Sequence, residues 1–75
     1  MSLIKRSLSL NGHATSVALE PEFWAVLDSA AVRHQQSLAS LIGKIDSSRG
    51  AIPLASAIRV WTLRQASQGQ DLRDR

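Results

Sequence analysis

The sequence predicts an α+β domain, mostly helical, in which an N-terminal β-hairpin precedes three helices. Three observations carry that reading. Apolar and small polar residues alternate over residues 3–19 around one Asn11-Gly12 pair. Apolar residues then recur at helical spacing in three separate stretches. Each stretch opens on a residue type that starts helices: Pro21, Ser37 and Pro53.

The hairpin comes first. Leu8, Leu10, Val17 and Leu19 are apolar, with Ser7, Ser9 and Ser16 between them. This is the period-2 pattern of half-buried strands over about 4–10 and 13–19. Asn and Gly both tolerate the positive φ of a type I′ turn, so Leu10 should face His13, Leu8 Thr15, Arg6 Val17 and Ile4 Leu19. One face then carries Ile4, Leu8, Leu10, Thr15, Val17 and Leu19. The other carries Lys5, Ser7, Ser9, Ala14, Ser16 and Ala18.

The first helix spans about 21–35. Pro21 sits in its first turn, and Glu20 and Glu22 lie near the positive end of the dipole. Phe23, Trp24, Val26, Leu27, Ala30 and Ala31 share one side, whereas His34-Gln35-Gln36 breaks the pattern. Ser37 caps a second helix over about 37–48, striped with Leu38, Leu41, Ile42 and Ile45 and followed by Gly50. A third helix, about 53–66, faces one way with Leu54, Ala57, Ile58 and Trp61. Val60 and Leu63 lie off that stripe, which suggests a helix held between two neighbours. Residues 1–67 are read as a single domain, and the polar stretch 68–75 as a flexible tail.

Composition narrows the class. Hydrophobic residues make up 44% of the 75 and charged residues 20%, too apolar for intrinsic disorder. No Cys is present, which excludes a disulfide framework and thiolate metal sites and fits a reducing compartment. A chain this small often completes its core by oligomerising, so an obligate oligomer is expected. No apolar run approaches the ~20 residues of a membrane span. Met1–Arg6 lacks the long apolar core of a signal peptide, and a cytoplasmic location is expected. Nine basic against six acidic residues leave +3, which permits an anionic partner without requiring one.

Lys5-Arg6-Ser7-Leu8-Ser9-Leu10, then Gly12-His13, Thr15-Ser16-Val17 and Leu19-Glu20-Pro21-Glu22-Phe23-Trp24, resemble a group of short bacterial ribbon-helix-helix proteins. The resemblance covers roughly residues 5–64, and the 12–24 block is its specific part. It implies a homodimer whose strands, one from each chain, pair antiparallel and enter the DNA major groove. It also implies that the second helix offers its N-terminus to a phosphate. Carried onto this chain, the base-facing ribbon positions are Ala14, Ser16 and Ala18. The phosphate contacts fall to Ser37 with the amides of Leu38 and Ala39, helped by Lys5 and Arg6.

Two departures qualify that implication. Alanine has no donor or acceptor, so direct readout rests largely on Ser16. The glycine usual between the two helices is replaced by Gln35 or Gln36, and a left-handed non-glycine costs roughly 1–2 kcal/mol. A geometric conflict is added by the hairpin. Four strands spaced by about 4.8 Å span more than ~14 Å, against a major groove about 12 Å wide. Either the first strand peels away as a Lys5-Arg6 arm or the sheet does not enter the groove.

Other chemistry finds little support. His13 and His34 are isolated and unaccompanied by Cys, a poor metal site, and His34 is read as a partly buried core residue. No nucleophile motif, Gly-rich phosphate loop or carboxylate pair is present, so neither an enzyme nor a cofactor is expected. Trp24 and Trp61 sit at core-stripe positions. The leading expectation is a small DNA-binding transcriptional regulator acting as a dimer. The alternative is a non-catalytic module on the same scaffold that binds a partner protein.

Overall fold

Asn11 and Gly12 take φ of 53° and 84°, the two positive values that a type I′ turn requires. The turn sets the register of strand β1 (Ile4–Leu10) against strand β2 (His13–Leu19), antiparallel, from Leu10↔His13 to Ile4↔Leu19. Every expected pair is present. The computed structural model describes residues 2–73, with side chains for residues 2–67. Three helices follow the two-stranded sheet: α1 (Pro21–Arg33), α2 (Leu38–Ser48) and α3 (Leu54–Arg73).

The inner face of the hairpin lies on the helices, β1 against α2 and β2 against α3, while α1 touches both other helices. Leu10, Val17 and Leu19 meet Trp24, Leu27, Ala30 and Ala31 of α1, Leu41, Ile42 and Ile45 of α2, and Ile58 of α3 in one core. Leu19, Leu27, Ile42 and Ile58 are wholly buried, each contributing about 1.5–3 kcal/mol through lost apolar exposure. Thr62 is buried as well, its hydroxyl donating to the Arg59 carbonyl at 2.8 Å, so it fits an apolar site without an orphaned polar atom. The chain thus covers most of its own apolar faces. Leu3, Ile4, Val32, Ile52, Val60 and Leu63 stay exposed in the single copy.

Helix ends account for the remaining differences. α1 stops at Arg33, short of the expected 35, because the chain leaves through a Schellman turn. Gln35 N–H donates to the Val32 carbonyl at 3.1 Å and Gln36 N–H to the Ala31 carbonyl at 3.0 Å, with Gln35 at φ 55°. His34, the residue at that exit, is exposed and not the partly buried core residue expected. α2 has its expected cap: Ser37 accepts from Ser40 N–H at 3.0 Å, and Gly50 follows at φ 61°. α3 runs to Arg73, past the expected end near 66, through residues that include no proline. The expectation of a flexible tail over 68–75 concerns side chains, and at 74–75 backbone, that lie outside the described residues.

Candidate functional site

The strongest local chemistry gathers at the start of α2. In any helix the first-turn N–H groups lack intrahelical acceptors. Here Ser37 Oγ takes the Ser40 N–H and the Ser37 carbonyl takes the Leu41 N–H at 3.0 Å. The N–H groups of Leu38 and Ala39 have no acceptor among the described residues. No acidic side chain occupies this first turn, whereas α1 carries Glu22 in its own. The positive end of the α2 dipole therefore meets no carboxylate in its own first turn, with Ser37 and Ser40 exposed and Leu38 and Ala39 half-buried. Capping does not use up Ser37: its oxygen accepts inward and its O–H proton remains free to donate outward.

Beside that end lies an open hollow of about 450 Å³ between the hairpin tip and α2. Ser9 and Asn11 border it from the hairpin, and Ser40, Gly43, Lys44 and Ser47 from the helix. Its rim is hydroxyl, amide and ammonium, with no carboxylate among these residues. Nothing lies within 4 Å of where a Gly43 side chain would begin, so no internal packing demands glycine there. Sequence reading did not single out Gly43 or Lys44. The signal was available, since residues 40, 43, 44 and 47 recur at one-turn spacing on α2.

The outward hairpin face is shallow. Ala14 and Ser16 are exposed and Ala18 half-buried, with Lys5, Ser7 and Ser9 exposed across the strand pair. Ser16 Oγ lies 3.3 Å from Ser7 Oγ, so its hydroxyl already has a neighbour. Lys5 points outward from β1, and no carboxylate among the described residues pairs with it.

Arg6 is placed differently from Lys5. It is on the inner face, where both terminal nitrogens donate to the Asp28 carboxylate at 3.0 and 3.2 Å. Its guanidinium also stacks 4.5 Å from the Trp24 ring centre. Trp24 Nε1–H in turn donates to the Ile4 carbonyl at 2.7 Å. Together these contacts bind β1 to α1, so the strand does not form a free Lys5-Arg6 arm. The structure brings Ser37, Leu38 and Ala39 together and leaves Lys5 available, but turns Arg6 inward.

Ion pairing leaves a cationic surplus. Arg6–Asp28, Arg49–Asp46 (2.6 Å) and Arg59–Glu20 (2.9 Å) pair off, while Lys5, Arg33, Lys44 and Arg64 stand without a carboxylate among the described residues. Arg59 also lies over Phe23, 5.7 Å from the ring centre. The Glu20 carboxyl is held below its ordinary value of 4.5, first by its own backbone N–H and then by the Arg59 guanidinium, against a smaller opposing effect of burial. No helix among the described residues is long and apolar enough to cross a membrane.

A ribbon-helix-helix domain model matches residues 3–66 of the chain. Comparison with curated proteins finds no match. Among solved structures the chain is similar to an uncharacterized protein from Bordetella pertussis Tohama I. The TM-score is 0.84 and the identity 38%, over 96% of this chain and 62% of that one. This chain therefore spans under two thirds of that protein's length. With the strand pairing, the three helices and the 3–66 match all in agreement, the chain belongs to the ribbon-helix-helix domain family, whose members usually dimerise and bind DNA.

Proposed function

We propose that this protein is a non-catalytic DNA-binding regulator that acts as a homodimer and is anchored chiefly through phosphates. The observation that carries the reading is the α2 N-terminus. Two unbonded N–H groups, an outward-donating Ser37 hydroxyl and a dipole without a nearby carboxylate suit a phosphate oxygen. Lys5, Lys44 and the hydroxyl-lined hollow extend the same chemistry along a strand of phosphodiesters.

Dimerisation follows from the free edge of β2. In a two-residue hairpin, Leu10↔His13 exchanges hydrogen bonds, as does every second pair beyond it. Ala14, Ser16 and Ala18 therefore turn their N–H and C=O groups away from β1, toward open solvent. A second β2 pairs there about a two-fold axis at Ser16, with Ala14 opposite the partner's Ala18. The resulting four-stranded sheet is wider than the major groove, as its strand spacing requires. Its Ala-Ser centre carries little that reads a base. The expected behaviour is binding that is firm at low salt and weakly selective for sequence.

Selection from random-sequence duplex DNA at physiological salt tests this reading, followed by binding of the enriched pool to wild type, Ser37→Ala and Lys5→Ala. Both substitutions should weaken binding to all sequences alike. Binding that is absent, or untouched by both, would contradict the phosphate anchor.

A further inference from the structure

The apolar residues of α3 are only partly accounted for by the core. Ile58 is wholly buried, but Val60 is 47% exposed and Leu63 65%, and Ile52 in the α2–α3 loop is 52% exposed. Val60 and Ile52 flank a small apolar hollow of about 170 Å³ between α2 and α3, floored by Ile45, Ala57 and Trp61. A second hollow of about 380 Å³ adjoins it, bordered by Lys44 and His34. Ile45, Ser48 and Trp61 line both, so the two form one trough along the helix pair. Contiguous exposed apolar surface with a polar rim marks interaction sites on soluble domains.

The rim specifies the partner. Lys44 and Arg64 lie on the trough without a carboxylate among the described residues, and Arg49 sits between them, paired to Asp46. A second copy of this chain is a poor occupant. Two-fold contact would set these cations against themselves. The chain also has little to answer them with, because Glu20, Asp28 and Asp46 are already paired, leaving Glu22 alone among the described carboxylates. A furrow between two helices suits a third helix, read through apolar anchors one turn apart.

We propose that the α2–α3 trough docks an acidic amphipathic helix of a different protein, its apolar side on Trp61 and Val60 and its carboxylates against Lys44 and Arg64. This surface lies away from the α2 N–H groups but shares Lys44 with the proposed phosphate contacts, so Val60 and Arg64, which those contacts do not use, distinguish the two.

The test uses the full chain and two labelled synthetic helices with identical leucines at one-turn spacing, one otherwise rich in Glu and the other in Lys. Binding is read by fluorescence anisotropy, and the contact surface by amide chemical-shift changes. The acidic helix should bind in the micromolar range with shifts confined to α2 and α3, and the basic helix should not bind. Val60→Glu and Arg64→Glu should each weaken the acidic helix about tenfold while Lys5→Ala leaves it unchanged. Both substituted positions are exposed, and circular dichroism checks that the variants fold. The proposal is overturned if the acidic helix fails to bind at millimolar concentration, binds no better than the basic one, or binds both variants like wild type. It is equally overturned if Val60→Glu abolishes self-association of the chain, which would make a second copy the occupant. Loss of DNA binding in Arg64→Glu with the helix unaffected would assign the cations to nucleic acid.

Discussion

Gln35 holds φ at 55° in the Schellman turn that ends α1, a backbone region that costs a non-glycine residue roughly 1–2 kcal/mol. Its side chain is exposed and makes no hydrogen bond among the described residues to offset that cost. Gln35→Gly is therefore expected to stabilise the chain by about 1 kcal/mol, read as a shift of the urea midpoint at unchanged slope. The missing glycine was legible in the sequence, as was the Ser37 cap. His34 was not. Its place on the apolar side of a helical wheel suggested burial, but the helix has already ended there and the wheel no longer applies. Thr62 was equally hidden, because only the finished turn shows that the Arg59 carbonyl satisfies its hydroxyl.

Between elements, two arginine–aromatic–carboxylate contacts hold the hairpin and the third helix to α1. In the first, Trp24 is fully buried and its Nε1–H anchors the Ile4 carbonyl. Trp24→Phe keeps much of the apolar bulk and removes the donor, so a loss of about 1–2 kcal/mol is expected. Faster amide exchange in β1 than in β2 would locate the effect. The second contact joins Arg59 to Glu20 at the β2–α1 corner. Because the folded chain holds the Glu20 carboxyl below 4.5, its stabilising contribution is complete above that value and is lost as pH falls toward the lowered one. Thermal melts should show wild type losing its advantage over Glu20→Gln below pH 4.5 and keeping it above. The effect is small, since about a third of each side chain is open to solvent. Register and element order were legible because period-2 and period-3.6 patterns are local. These cross-element contacts were not, since nothing in the spacing of Arg6 and Asp28 says that they meet.

For the molecule as a whole, one core forms within a single copy, while Val32, Ile52, Val60 and Leu63 remain exposed on and between the helices. What stays open is the β2 edge together with the Val60 and Leu63 side of α3. Ser16→Pro should separate these possibilities. Proline removes the outward N–H at the centre of the proposed pairing while the β1–β2 ladder does not use it. Sedimentation should then show a folded monomer. A folded dimer would place the interface elsewhere. Sequence pattern could not have distinguished these cases, because a hairpin and a two-chain ribbon share one alternation.

Phosphate anchoring by a folded dimer is read out by the salt dependence of duplex DNA affinity. Affinity should fall linearly with salt on logarithmic axes, and Lys5→Ala should reduce the slope by about one for each phosphate contact removed. Affinity indifferent to salt, or a slope unchanged by Lys5→Ala and Ser37→Ala together, would rule out phosphate anchoring.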